Sequence, residues 1–238
     1  MNKIKKILDK YGWNWFELAL IGIVTIIGLY FFAGAVTPAA FILPVIDLIA
    51  AFCGICSVVL CAKGKKAGFI FGLINVIGYA IIAFNNLYYG EVLLNVLFYI
   101  PINIISYVSW KKNQYVDKNE VIPKKLNWKQ IIIGLGIIIV LTLGLHYILL
   151  AMGGAMTLLD GTTTILSIVA SLLMWRRYAE QWACWIVVDA ITVIMWIIAG
   201  DPIMIAMWGA YLVNAFYGYY LWLKKSNGLP WQKEKCLK

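Results

Sequence analysis

Eight long apolar runs, separated by gaps that carry cations only in alternation, dominate this 238-residue chain. The runs fall at about 15–36, 44–62, 68–84, 91–110, 130–151, 160–175, 182–199 and 203–223, near the roughly 20 residues an α-helix needs to cross hydrocarbon. All 20 Lys and Arg lie in the two tails or in every second gap. They are Lys3, Lys5, Lys6 and Lys10; Lys63, Lys65 and Lys66; Lys111, Lys112, Lys118, Lys124, Lys125 and Lys129; Arg176 and Arg177; and the tail from Lys224 to Lys238. The gaps near Thr37, Asn85–Glu91, Gly153–Asp160 and Gly200–Pro202 hold none. Cationic loops stay on the cytoplasmic side, so this bias sets orientation. The expectation is an all-α polytopic membrane protein with eight transmembrane helices, both termini cytoplasmic, in a bilayer as solvent.

Composition agrees: 63% hydrophobic and 13% charged residues lie far from the roughly 45–50% and 25% of soluble domains. A formal charge of +9 invites a nucleic-acid reading, but the excess sits in short juxtamembrane loops, where an anionic inner leaflet accounts for it. No nucleic-acid partner is expected. The first run, flanked by Asp9, Lys10 and Glu17, reads as a retained helix rather than a signal peptide. Cys53 and Cys56 are spaced C-x-x-C beside Cys61 inside an apolar run, without a second Cys or His pair to complete a tetrahedral site. Packing thiols are the favoured reading, with no metal and no cofactor. His146, in the fifth run, has no sequence-visible partner and is read as structural.

The segments 47–112 and 160–225 superimpose in pattern at an offset of 112–113 residues. Asp47 meets Asp160, Lys63 meets Arg176, Trp110 meets Trp222, and Lys111-Lys112 meets Lys224-Lys225. Each copy has three helices, so like orientation of both requires one intervening helix, which 130–151 supplies. The layout is an extra N-terminal helix followed by 3+1+3 parallel repeats. Its segments are 1–40 (tail and extra helix), 41–112 (first repeat), 113–152 (loop and linker helix), 153–225 (second repeat) and 226–238 (tail). Transporters built from repeats place substrate near the midplane where the halves meet.

Polar residues cluster at that depth. Asn75, Asp189 and Asn214 lie near the middle of the third, seventh and eighth runs, and Asn103 slightly toward the cytoplasm on the fourth. Trp182, Trp185 and Asp189 share a helical face continued by Thr192 and Trp196; Tyr211, Asn214, Tyr217 and Gly218 form a comparable face, and Asn75 and Tyr79 are four apart. Indole faces attract cations, a carboxylate neutralises a positive ring, and Asn both donates and accepts. The set suits a flat, polar, cationic aromatic. Trp and Tyr also form interfacial belts, the reading favoured for Trp110, Trp175, Trp222 and Trp231 beside basic turns; Trp182 and Trp185 fit either role. Intramembrane Asn and Asp can also simply join helices, although a mid-depth acid such as Asp189 is by default functional.

The stretch Glu180-Gln181-Trp182-Ala183-Cys184-Trp185 through Asp189, with Tyr211-Leu212-Val213-Asn214-Ala215-Phe216-Tyr217-Gly218-Tyr219-Tyr220-Leu221-Trp222, resembles the PnuC family of nicotinamide riboside transporters over about 44–225. The resemblance implies a SWEET-like fold, a homotrimer in the bacterial inner (cytoplasmic) membrane, and facilitated diffusion of a B3 vitamer by alternating access. Uptake would be made one-way by a cytoplasmic nicotinamide riboside kinase. Carried onto this chain, the substrate-lining positions are Trp182, Trp185, Asp189, Asn214 and Tyr217, with Asn75, Tyr79 and Asn103 opposite and Trp182 and Tyr217 as inner gates. The Pro-Gln dipeptide of the wider superfamily is absent, which leaves Pro44, Pro101 and Pro202 as bending positions.

No Gly-x-x-x-x-Gly-Lys-Ser/Thr loop is present, so the chain itself does not drive uptake by nucleotide hydrolysis. An enzyme is not expected either, because no Ser/His/Asp set or metal cluster is visible. Two alternatives remain open at this level: a related carrier of thiamine or riboflavin, and a membrane receptor or scaffold whose polar residues only join helices.

Overall fold

A computed structural model describes residues 12–35, 37, 41–85, 89–115, 119–153, 156–199 and 202–227. Helices α1 (Trp15–Ala35), α2 (Ile42–Ala62) and α3 (Ala67–Asn85) lead into α4, built from Tyr89–Leu94, a π-helical turn Asn95–Tyr99, and Ile100–Lys112. Then come α5 (Trp128–Ala151), α6 (Thr157–Trp175), α7 (Gln181–Ala199) and α8 (Pro202–Asn227). Helices are the form expected, since in hydrocarbon each backbone N–H and C=O has to be satisfied within its own segment. Among the described residues, seven helices are long and apolar enough to cross a membrane, α1 to α7. The last, α8, has the length at 26 residues, but Trp208, Tyr211, Asn214, Tyr217, Tyr219 and Tyr220 make it less apolar than the others.

The π turn in α4 immediately precedes Pro101, which has no N–H to give the preceding turn. There the Ile100 N–H reaches back to the Asn95 carbonyl, widening the turn just before Asn103. Neither Pro44, in the first turn of α2, nor Pro202, the first residue of α8, interrupts its helix.

Neighbours in sequence pack as neighbours in space: α2 on α3, α3 on α4, α6 on α7, α7 on α8. Three longer contacts close the bundle, α8 on α2, α4 on α6 and α8 on α1, and a Trp joins the first two. The Trp110 indole N–H, near the end of α4, donates to the Met174 carbonyl at 2.8 Å. The Trp222 indole N–H, near the end of α8, donates to the Cys61 and Ala62 carbonyls at 3.3 and 3.1 Å. All three acceptors sit at helix C-termini, where carbonyls lack i+4 partners, although Cys61 and Met174 also accept from the Gly64 and Arg177 N–H of the following turns at 2.9 and 3.0 Å. Residues 61 and 174 are 113 apart and residues 110 and 222 are 112 apart, so the two bonds recur at the sequence offset noted above.

These two Trp are therefore not lipid-facing belt residues. Both are buried, with ring centroids 5.4 Å apart, Phe69 4.7 Å from Trp110, and Trp182 6.2 Å from Trp222. Position beside a basic turn is also position beside helix-end carbonyls with acceptor capacity to spare, and the carbonyls claim the indole. Trp175 is different: it is partly exposed, with the Arg176 guanidinium 4.3 Å over its ring. Trp231 lies outside the described residues.

The segment between α4 and α5 straps the same layer. Val121 N–H donates to Gly64 carbonyl at 2.8 Å and Lys124 N–H to Arg177 carbonyl at 2.7 Å. Gly64 and Arg177 are again 113 apart, and both take left-handed φ values, 78° and 68°. Helix α5 begins with a reciprocal capping box, Asn127 with Gln130, and rests on α6. Thr157 hydroxyl meets His146 Nδ1 at 2.8 Å, which gives His146 a structural partner. Cys53, Cys56 and Cys61 are buried free thiols, Cys61 within the aromatic layer.

Trp222→Phe deletes the indole N–H that serves the Ala62 carbonyl. Leaving a buried polar group unpaired costs about 1–3 kcal/mol, so the variant is expected to melt several degrees lower in detergent. An unchanged melting temperature would show that the bond contributes nothing.

Candidate functional site

Glycines set the geometry of the midplane by letting side chains approach backbone. Helices α7 and α8 run antiparallel, and the Trp182 indole lies against Gly218: a Cβ there would stand 2.8 Å from three ring carbons. Seven residues outward from this contact on the two helices, about 10 Å away at 1.5 Å per residue, lie Asp189 and Tyr211. The Tyr211 hydroxyl is within electrostatic reach of Asp189.

Tyr211 also crosses to the other half. A Cβ on Gly54 would lie 2.9 Å from the Tyr211 hydroxyl and 2.9 Å from Asn75 Nδ2, so α2, α3 and α8 converge at one point. Asn75 is oriented there because its Nδ2 donates to the Ala50 carbonyl at 2.9 Å. On α3, a Cβ on Gly72 would meet Asn103 Oδ1 at 2.6 Å and Ser57 Oγ at 3.0 Å. Asn103 Nδ2 donates to the Tyr99 carbonyl at 2.8 Å, tying this amide to the turn that Pro101 loosens.

The polar balance of this group is incomplete. Asp189 is 4% exposed and Asn214 1%. Among the described residues Asn214 Oδ1 and Trp182 Nε1 have no hydrogen-bond partner, and Asp189 has no ion-pair partner. The orphaned acceptor is on α8 and the orphaned donor on α7, the helix that carries Asp189 about 10 Å further along. Each unmade bond costs about 1–3 kcal/mol in the interior, which a ligand bearing complementary groups can recover. The site offers a carboxyl group, amides and indole surface. It offers no cation among the described residues, since the Lys and Arg lie at the helix ends and loops.

The other expected positions divide. Trp185 is partly buried and packs on the aromatic layer that contains Trp110, Trp182 and Trp222. Tyr217 packs on that layer too, but its hydroxyl bonds to the start of α1, donating to Glu17 Oε1 at 2.9 Å. Tyr79 is 46% exposed and so is not part of the buried set. Sequence reasoning left Ser57 and Gly54 out of the site, and it placed Tyr211 on the polar face of α8 but not among the substrate-lining positions. Their signal was weak, because a glycine or serine in an apolar helix acquires meaning only from what it faces. For Glu17 a signal did exist: Asn14-Trp15-Phe16-Glu17 is a capping-box spacing ahead of an apolar run. A separate hollow lined by Tyr30, Phe31, Ala33, Gly34 and Ala35 lies at the far end of α1 and brings no charged group.

Residues 44–224 match the family described as nicotinamide mononucleotide transporter. The chain is 37% identical to the nicotinamide riboside transporter PnuC of Haemophilus influenzae, covering 90% of this chain and 92% of the relative. It is 35% identical to the protein of that name from Neisseria mucosa, covering 90% and 82%. The structure is similar to the crystal structure of the vitamin B3 transporter PnuC, with a TM-score of 0.73, 33% identity, and coverage of 90% of this chain and 93% of that one.

Gly218→Ala sets a methyl against a flat indole that cannot fold aside. Overpacking of this kind costs about 1–3 kcal/mol, so the variant is expected to melt lower and to shift intrinsic tryptophan fluorescence. If both readouts match the parent protein, the Trp182–Gly218 contact is not tight.

Proposed function

This chain belongs to the nicotinamide mononucleotide transporter family, a multi-span membrane transporter family and not a family of enzymes, and from that premise we propose that it takes up nicotinamide riboside by facilitated diffusion. The observation that carries the choice of cargo is Asp189, buried at 4% exposure with no ion-pair partner among the described residues. The riboside presents a positively charged pyridinium ring, which favours ionisation of the buried carboxyl as it binds and is attracted by the carboxylate so formed. The phosphorylated nucleotide adds negative charge that the same site repels, with no cation near to offset it. The family's description names the mononucleotide, the curated relatives' names the riboside, and the electrostatics of this site favour the riboside.

Trp182 and Trp185 supply ring faces, and Asn214 and Asn75 supply amides for the ribose and carboxamide, with Asn103 behind them. Tyr79 would line the site only when the outer side opens. The unbonded Oδ1 of Asn214 argues against a purely helix-joining role. We take α8 as an eighth span, its aromatic and amide content reflecting the chamber it faces. The reading divides the chain into 1–40, the repeat 41–112, the linker 113–152, the repeat 153–225 and the tail 226–238, a SWEET-like 3+1+3 arrangement with both termini cytoplasmic. The recurring Trp bonds to Met174 and to Cys61 support it. Each triplet rocks against the other around the fixed site, with Trp182 and Tyr217 closing the inner side. The assembly is a homotrimer in the bacterial inner membrane, and phosphorylation by a cytoplasmic kinase traps the cargo.

Calorimetry on purified protein is expected to show binding of nicotinamide riboside and none of the phosphorylated nucleotide; the reverse preference would overturn the reading. Thiamine or riboflavin displacing the riboside would reassign the cargo. Trp182→Ala is expected to weaken riboside binding by roughly 1–2 kcal/mol, the scale of a desolvated cation–π contact; unchanged affinity would remove Trp182 from the site. Vesicles holding this protein alone are expected to equilibrate substrate, not concentrate it.

A further inference from the structure

Helix α1 lies outside the matched residues 44–224, yet its first turn makes a dense set of polar contacts. Asn14 Oδ1 accepts from Glu17 N–H at 2.9 Å and Glu17 Oε2 accepts from Asn14 N–H at 3.0 Å. The glutamate of such a box ordinarily faces water, but Glu17 is 2% exposed. Its Oε2 also accepts from Lys63 Nζ at 2.7 Å and its Oε1 accepts from the Tyr217 hydroxyl at 2.9 Å. Asn14 Nδ2 donates to that same hydroxyl at 2.8 Å, and the Phe16 and Tyr217 rings stand 4.9 Å apart. Lys63 is held further by the Gly12 carbonyl and by the Trp13 ring, 4.2 Å from its ammonium.

The partners of Glu17 come from different halves. Lys63 follows the last residue of α2, in the first triplet, and Tyr217 lies on α8, in the second. One buried carboxylate therefore joins the two bodies that the transport cycle moves apart, on the side sealed by Trp110, Trp182 and Trp222. We infer that Glu17, with Asn14, is a positioning residue for transport: the cap of α1 is a clasp that holds Tyr217 against the Lys63 turn and favours the arrangement closed to the cytoplasm. The inference rests on the carrier reading above and deepens it. It gives the extra helix a part in the cycle beyond anchoring, because opening inward requires Tyr217 to leave Glu17. Both carboxylate oxygens are occupied in the closed form, so the clasp releases as a unit.

The test uses nicotinamide riboside uptake into right-side-out membrane vesicles carrying the full chain. Glu17→Gln removes the charge that holds Lys63 and Tyr217. Asn14→Ser keeps a capping oxygen but lacks the amide that reaches Tyr217. With the clasp broken, carriers drift toward the inward-open form and fewer face the external substrate, so KM is expected to rise at least threefold. Adding Tyr217→Phe to Glu17→Gln is expected to raise KM no further than the larger single effect, since both break one clasp. An unchanged KM with lowered Vmax and melting temperature would make α1 a mere anchor and overturn the inference, as would single effects that multiply in the double variant. If Glu17→Gln does not reach the membrane, Asn14→Ser decides in its place. Absence of riboside uptake by the parent protein would defeat the carrier reading itself, whereas normal parent uptake with unmoved variants defeats only the clasp.

Discussion

Hydrocarbon supplies no hydrogen-bond partner, so a polar atom inside the bilayer is satisfied by backbone, by another side chain, or by cargo. Most of this protein follows the first two routes. Thr25 and Thr192 bond the carbonyls of Ile21 and Val188 at 2.6 and 2.8 Å, Ser171 that of Ser167 at 2.8 Å, and Asn75 and Asn103 each direct one amide N–H to a carbonyl. Trp182 Nε1 and Asn214 Oδ1 follow neither route among the described residues, nor do Ser106 Oγ, Thr142 Oγ1 and both side-chain polar atoms of Gln181. Of these, Trp182 and Asn214 lie on the adjoining helices α7 and α8, which also carry Asp189 and Tyr211.

Close approach is the second condition for such a site. Side chains from five helices pack this closely only if some positions lack side chains, and Gly54, Gly72 and Gly218 leave that room for Tyr211 with Asn75, for Asn103 with Ser57, and for Trp182. The glycines and these residues act together: a methyl on any of the three displaces a group that contributes a hydroxyl, an amide or a ring.

The basic layer at one end of the bundle combines charge with mechanics. The same cations that orient the chain also stitch it, Lys63 to Glu17, Lys225 to the Lys63 carbonyl at 2.7 Å and to Glu120 at 2.9 Å. The Glu17–Lys63 pair is buried on both sides, and stripping one partner from such a pair commonly costs about 3–5 kcal/mol because the other charge is stranded. The Lys225–Glu120 pair is partly exposed and contributes far less. The strap through Val121 and Lys124 touches both inner turns through backbone bonds that depend little on side-chain identity. Sealing on this face thus rests on indoles, backbone and one ionic clasp.

Much of this was legible in the chain. Run length and the alternation of Lys and Arg determined a helical, multi-span protein, because hydrophobic thickness and the burial of charge act on composition alone. Period and depth singled out Trp182, Asp189, Asn214 and Asn75, since an acid or amide at mid-helix has few reasons to be there. The fates of Trp110, Trp222, Tyr217 and Glu17 were decided by tertiary structure. A Trp beside a basic turn reads the same whether it faces lipid or a helix-end carbonyl, and a capping Glu reads the same whether it faces water or Lys63. Sequence determines which groups cannot be left in hydrocarbon; only the packing of α1, α2, α4, α6 and α8 decides which partner each one finds, because those partners lie more than 45 residues apart along the chain.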